Sequence, residues 1–147
     1  MAGSISNGND VAAAIQMGAD LAWMGTRFIN VEESLADEKY KKMIIDSSAE
    51  DIVYTAAVSG VNASFLRSSL EAMGITEEMW SKTKKIDFGS ELDAAKAEAK
   101  AWKTIWSAGQ GVTSINNVKS IKALVSDLKK EFLLGLERMK EVYKTYN

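Results

Sequence analysis

Apolar positions recur at helical spacing most regularly in the second half of the chain. From Glu91 onward, Leu92, Ala95, Ala99, Trp102, Ile105 and Trp106 fall on one stripe, with Lys96, Glu98, Lys100 and Lys103 opposite. That is the pattern of an amphipathic helix with one buried face, and it reads Trp102 and Trp106 as core residues of a helical region, with a substrate-facing position as the alternative. "SAGQGVTSIN", residues 107–116, interrupts the period with two glycines. A last helix is predicted from near Asn117, with Val118, Ile121, Leu124, Val125, Leu128 and Phe132 on its apolar face. It runs through Gly135 to the end, with Glu137–Lys140 and Glu141–Lys144 as surface pairs.

The first half is more broken. "NDVAAAIQMG", residues 9–18, predicts a short helix capped by Asn9 or Asp10 and stopped by Gly18. "ADLAWM", residues 19–24, is short and apolar on both faces, as a buried parallel strand is, and it ends on Gly25-Thr26. "EKYKKMIIDSS" predicts a helix with Tyr40, Met43 and Ile44 on one face. "DIVYTAAV" is rich in β-formers and predicts a strand. "NASFLRSSLEAMG" predicts a helix over Asn62–Met73, capped by Asn62 and closed by Gly74; the "SGVN" turn at 59–62 alternatively lines a site. Residues 75–90 read as loop with a helical turn, "KTKK" at 82–85 as a solvated cluster, and Trp80 falls on no stripe. Loop, helix, strand and Gly-Thr turn with minimal connections is the order of a βα barrel or doubly wound sheet. A parallel strand needs neighbours, and none is predicted before residue 20, so the chain reads as starting just after a strand of such a sheet.

Composition narrows the chemistry. The 147 residues suffice for one domain with a sizeable core, and 46% hydrophobic with 26% charged residues is globular usage. There is no cysteine, which excludes disulfides, zinc–thiolate sites and a cysteine nucleophile and fits a reducing, cytoplasmic setting. There is no histidine, so the commonest general base and metal ligand are both missing. No metal site is expected. Absence of proline fits a helix-rich chain. A net charge of −2 gives no reason to expect nucleic acid. No apolar run approaches the roughly 20 residues of a membrane helix, and the N-terminal residues do not form a signal peptide.

A phosphate site needs unclaimed backbone N–H groups and close approach of the main chain. "AGSISNG" at 2–8 offers Gly3 and Ser4, and "MGTRF" at 24–28 offers Gly25 and Thr26, one helix and one strand apart. In barrels, the loops after the last two strands form such a site. Arg27 either assists the anion or packs on the surface, pairing with Glu32 or Glu33. Ordinary Gly-Ser and Gly-Thr turns are the alternative.

The stretch "AGSISNGNDVAAAIQMGADLAWMGTRFINVEES" resembles the C-terminal signature of the nitronate monooxygenases. "YKKMIIDSSAEDIVYTAAVSGVNASFL" and "AWKTIWSAGQGV" resemble the segments that follow it, so the similarity runs from residue 2 to about 132. The resemblance implies an α/β fold, the C-terminal part of a (βα)8 TIM barrel comprising its last βα units, with a helical subdomain, helix-rich overall. It implies residues 1–60 as the end of an FMN-binding barrel with phosphate-binding loops, and residues 61–147 as helical subdomain and C-terminal helices. Carried over, the FMN-binding residues are Gly3, Ser4, Trp23, Met24, Gly25 and Thr26. Gln110 is flavin-proximal, unless "SAGQG" is only a glycine-flanked turn. The family reaction oxidises alkyl nitronates to carbonyl compounds and nitrite with O2. The related flavin-dependent enoyl-thioester reductases are the alternative activity, and a non-catalytic fragment is a third reading. Where the family has a second glycine this chain has Ser4, which keeps its N–H available if φ stays negative. The family's catalytic histidine and earlier strands have no counterpart here, so no catalytic residue is expected in this chain. The isolated 147 residues are expected to be inactive, and to seek a complementary barrel half or self-association.

Overall fold

Asn7 opens the first helix because its side chain accepts the Asp10 N–H at 3.0 Å. Asp10 in turn accepts the backbone N–H groups of Ser6 and Asn7, closing a capping box. The computed structural model describes residues 1–58, 60–81 and 104–146. Helix α1 is thus Gly8–Gln16, one residue earlier than predicted, with Asp10 inside the box rather than at the cap. Gly18 ends it at φ +93°, where a glycine avoids the Cβ penalty, with the Ala19 N–H reaching back to Ala14.

The predicted strand at 19–24 reduces to one parallel bridge, Ala2 with Trp23, where the Trp23 N–H donates to Met1 at 2.9 Å. Its neighbour therefore does lie before residue 20, contrary to expectation. The strand is also not buried: Leu21 and Trp23 are 79% and 75% exposed. Among the described residues no further strand covers either side of the pair.

Helix α2 (Thr26–Ile29) follows at once, and α3 (Glu38–Asp46) is capped by Asp37. Ser48 and Asp51 form a second capping box around a 3-10 turn, Ala49–Asp51. Strand β1 (Ile52–Thr55) then pairs antiparallel with β2 (Ala63–Leu66), in a register running from Ile52↔Leu66 to Thr55↔Ala63. The helix predicted over Asn62–Met73 is corrected here: its first part is β2, and only Arg67–Glu71 (α4) is helical. Asn62 is exposed and caps nothing. Pairing outweighs helical spacing because β2 is bonded on two sides. Phe65 bridges Ser107, and the Leu66 N–H donates to Trp106 at 2.9 Å. A short helix α5 (Glu77–Trp80) places Trp80 in the core.

The stripe predicted from Glu91 lies largely outside the described residues: this applies to Leu92, Ala95, Ala99 and Trp102, as it does to the cluster at 82–85 and to Ser59. Ile105 and Trp106 have left the helix. Ile105 joins Val53, Phe65, Leu70, Ile75 and Trp80 in one core cluster. Trp106 stacks on Tyr40 with ring centroids 5.0 Å apart, beside a second cluster of Ile44, Leu66, Ala108, Val112 and Ile115.

The last helix, α6 (Ile121–Tyr146), starts four residues later than predicted, because the Glu33 carboxylate accepts the Ile121 N–H at 2.9 Å and fixes the start there. At 26 residues it is about 39 Å long. Leu124 is buried and Val125, Leu128 and Phe132 are half-buried. The predicted surface pairs form, at 2.6 Å for Glu137–Lys140 and 2.8 Å for Glu141–Lys144. Two glycines let α6 lie directly on α1. A Cβ on Gly8 would sit 2.1 Å from the Leu128 carbonyl oxygen, and one on Gly135 would sit 3.0 Å from Ala12 Cβ. Gly135 inside a helix is thereby explained by close packing.

Candidate functional site

The α1–α6 contact and the Ala2–Trp23 bridge bring the two glycine-bearing loops of the N-terminal region side by side. Between them lies a cleft of about 100 Å³ lined by Gly3, Ser4, Ile5, Ser6, Trp23, Gly25, Thr26, Gly109 and Gly111. Five of the six predicted cofactor residues are in that lining; Met24 is half-buried outside it. A cleft of that size has room for one phosphate group.

Backbone conformation serves the cleft. Gly3 and Ser4 are successive left-handed residues, at φ +93° and +54°. The expectation of a negative φ at Ser4 is therefore corrected. For a serine that conformation costs about 1–2 kcal/mol relative to the right-handed one, a cost a glycine there would not incur. Cβ atoms on Gly3 or Gly25 would meet nothing within 4 Å, so both positions face open space. The N–H groups of Ser4, Gly25 and Thr26 have no protein acceptor among the described residues, and α2 has no side-chain cap.

The N-terminus of α1 is different. Asp10 occupies the N–H groups of Ser6 and Asn7, and Glu131 from α6 accepts that of Gly8 at 2.7 Å. The protein's own carboxylates fill that end, which leaves the cleft to the two loops. Among the described residues no lysine or arginine lines it. The donors that the described residues offer an anion there are neutral.

Arg27 does not serve the site, nor does it pair with Glu32 or Glu33. It is buried at 5% exposure, and donates from Nη1 to Asn30 O and from Nη2 to Asn117 Oδ1, both at 3.3 Å. Burial pulls its pKa below the usual value, while the nearby Glu131 and Asp127 carboxylates act the other way. It ties α2 to the connector before α6.

The lining also contains residues that the pattern reading missed. Gly109 N–H donates to Thr26 Oγ1 at 2.9 Å, and Ser6 Oγ donates to Gly111 O at 2.9 Å. The available signal was the glycine pair of "SAGQG", two residues apart in a stretch with no helical period. Gln110 between them is exposed at the start of a 3-10 turn, Gln110–Ser114. No group of three or more acidic residues able to hold a metal occurs among the described residues, and no described helix is long and apolar enough to cross a membrane.

Solved structures share this fold. FabK from Thermotoga maritima superposes with a TM-score of 0.70 at 30% identity, covering 96% of this chain and 46% of that one. A nitroalkane oxidase from Streptomyces ansochromogenes superposes with a TM-score of 0.66 at 27% identity, covering 94% and 40%. Both are TIM-barrel enzymes, and this chain shares with them a helix-rich α/β fold. The nitronate monooxygenase family model matches residues 1–131, and the chain belongs to that family. A nitronate monooxygenase from Paraburkholderia phytofirmans is 31% identical over 146 residues, covering 95% of this chain and 39% of the relative. A probable nitronate monooxygenase from Staphylococcus aureus is 42% identical over 59 residues, or 40% of this chain and 17% of the relative. The chain thus spans about two-fifths of the length of the Paraburkholderia protein.

Proposed function

We propose that this chain forms the phosphate-binding end of an FMN-dependent nitronate monooxygenase, which oxidises alkyl nitronates to carbonyl compounds and nitrite with O2. The observation that carries the reading is the small cleft between the "AGS" and "MGT" loops, which no described lysine or arginine lines. Gly3 and Gly25 allow main-chain approach, and Ser4, Gly25 and Thr26 supply unclaimed N–H groups. Trp23 forms one wall, and Met24 contributes backbone beside it. Gln110, exposed between two lining glycines, is the flavin-proximal side chain. When bound, FMN supplies the redox chemistry between nitronate and oxygen. This chain's own residues bind and orient the phosphate; the catalytic histidine that the family resemblance implies has no counterpart among its 147 residues. In this reading residues 1–60 are barrel end and residues 61–147 helical subdomain, with the β1–β2 hairpin as the seam.

Fluorescence titration of the chain with FMN and with riboflavin, which lacks the phosphate, tests the site. We expect FMN to bind at least about tenfold tighter, because charge-assisted hydrogen bonds contribute about 1.5–3 kcal/mol each. Gly25→Val, which fills the cleft from a position with no neighbour to clash with, should abolish the difference. Equal affinity of the native chain for the two flavins overturns the assignment. A chimaera carrying this segment within the Paraburkholderia relative, assayed with propionate-3-nitronate and with an enoyl thioester plus NADH, separates the two candidate activities.

A further inference from the structure

We propose that Gly109–Gly111 is a strap that presets the cleft, making Gly109, Gly111 and Ser6 positioning residues for the bound phosphate. The inference rests on the phosphate reading above. The strap is the third side of the cleft, reaching it from 83 residues beyond Thr26 and 105 beyond Ser6. It is anchored from both flanks: Ala108 and Val112 are buried at 5% and 0% exposure, in the cluster with Ile44, Leu66 and Ile115. A rigid core thus holds it.

Its first tie acts on Thr26. A threonine hydroxyl carries one proton and two lone pairs. The Gly109 N–H occupies a lone pair of Thr26 Oγ1, and this hydroxyl donates to no described protein group. Its proton is therefore available to an acceptor in the cleft. The strap turns a freely rotating hydroxyl into an oriented donor, which lowers the ordering cost of binding.

Its second tie acts on the opposite loop. Ser6 Oγ donates to Gly111 O, fixing the segment that follows the left-handed pair Gly3–Ser4. The fit leaves no room: a Cβ on Gly111 would sit 2.2 Å from Ser6 Oγ, while its next neighbours, in the Ser4 backbone, are 3.4 and 3.5 Å away. Glycine is required at 111 because of one atom, and that atom belongs to the phosphate loop. An alanine there must turn the Ser6 hydroxyl aside, which breaks its bond to the Gly111 carbonyl and releases the loop that bond holds.

The test compares the riboflavin-to-FMN ratio of dissociation constants with the melting temperature. The ratio isolates the phosphate contribution, which a merely structural role would not move. We expect Gly111→Ala to bring the ratio to within about threefold of one, an effect on the scale of one charge-assisted hydrogen bond. Ser6→Ala, which removes the tie without adding a clash, should lower the ratio in the same direction. Thr26→Val should also collapse the ratio, whereas Thr26→Ser should keep it. If Gly111→Ala lowers the melting temperature but leaves the native ratio, the strap is only structural and the inference falls. An unchanged ratio in Thr26→Val overturns it even if Gly111→Ala does not fold. A native chain that fails to distinguish FMN from riboflavin instead overturns the phosphate reading itself.

Discussion

Single atoms decide several positions in this chain. Gly8 is the sharpest case, because a methyl group there would meet the Leu128 carbonyl, the Phe132 nitrogen and Glu131 Cβ at 2.1, 2.4 and 2.7 Å. Backbone cannot rotate aside as a side chain does, so α6 would have to lift off α1. Gly8→Ala should therefore cost about 1–3 kcal/mol or more, the range for overpacking a tight contact, read as a lowered urea midpoint. Tyr40 gives a second test at this scale. Burial against Trp106 pushes its hydroxyl up to about 12, and that hydroxyl donates to the Ser107 carbonyl. A folded-state pKa above the unfolded value means stability that is complete below pH 10 and is lost as pH rises from about 10 towards about 12. Absorbance titration should show one late tyrosine that Tyr40→Phe removes, and Tyr40→Phe should flatten the alkaline loss of stability. A native chain whose four tyrosines all titrate together near pH 10 would contradict this.

At the scale of elements, what the sequence disclosed depended on whether local or distant groups set the outcome. Helices α1, α3 and α6 were legible because caps, period and breakers are local signals. The β1–β2 hairpin was half legible: Ile52–Thr55 reads as β, but Ala63–Leu66 has helical spacing and is held extended by partners at Trp106 and Ser107, some forty residues on. The cleft loops could be found from their glycines; the glycine pair of "SAGQG" marked the third stretch, but its contacts with Ser6 and Thr26 across the whole chain could not be read from it. Arg27 misled for a related reason. It follows a turn and looks exposed, yet its acceptors are Asn30 O and the distant Asn117. Those contacts make it the rivet between α2 and the start of α6. Lysine has no planar fork to reach both acceptors, so Arg27→Lys should cost about 1–3 kcal/mol in leaving buried acceptors unmet. Thermal melts at matched concentration check this. A variant as stable as the native chain would mean that the guanidinium contributes charge alone.

For the molecule as a whole, the exposed apolar surface of the N-terminal region matters most. Trp23, on a single parallel bridge, and nearby Leu21 are 75% and 79% exposed, and α6 carries Leu133 and Leu134 at 60% and 67%. A parallel pair with an open side offers unpaired backbone groups and apolar side chains together, which favours association with another chain. A polypeptide of these 147 residues alone should therefore self-associate at micromolar concentrations, and Leu21→Lys should reduce that in sedimentation without touching the cleft. On the proposed function it should not turn over nitronates, because this segment supplies only the phosphate end of the site and has no counterpart of the family's catalytic histidine. Set beside it, the chimaera in the Paraburkholderia relative should be active, since the same loops and strap then meet the rest of the fold. Nitrite release is the measurement, with free FMN as the baseline. Turnover by the 147 residues alone at about 1 s⁻¹ or faster, the lower end of ordinary enzymes, would show that the chemistry resides in this segment and that the division of labour argued from its cleft is wrong.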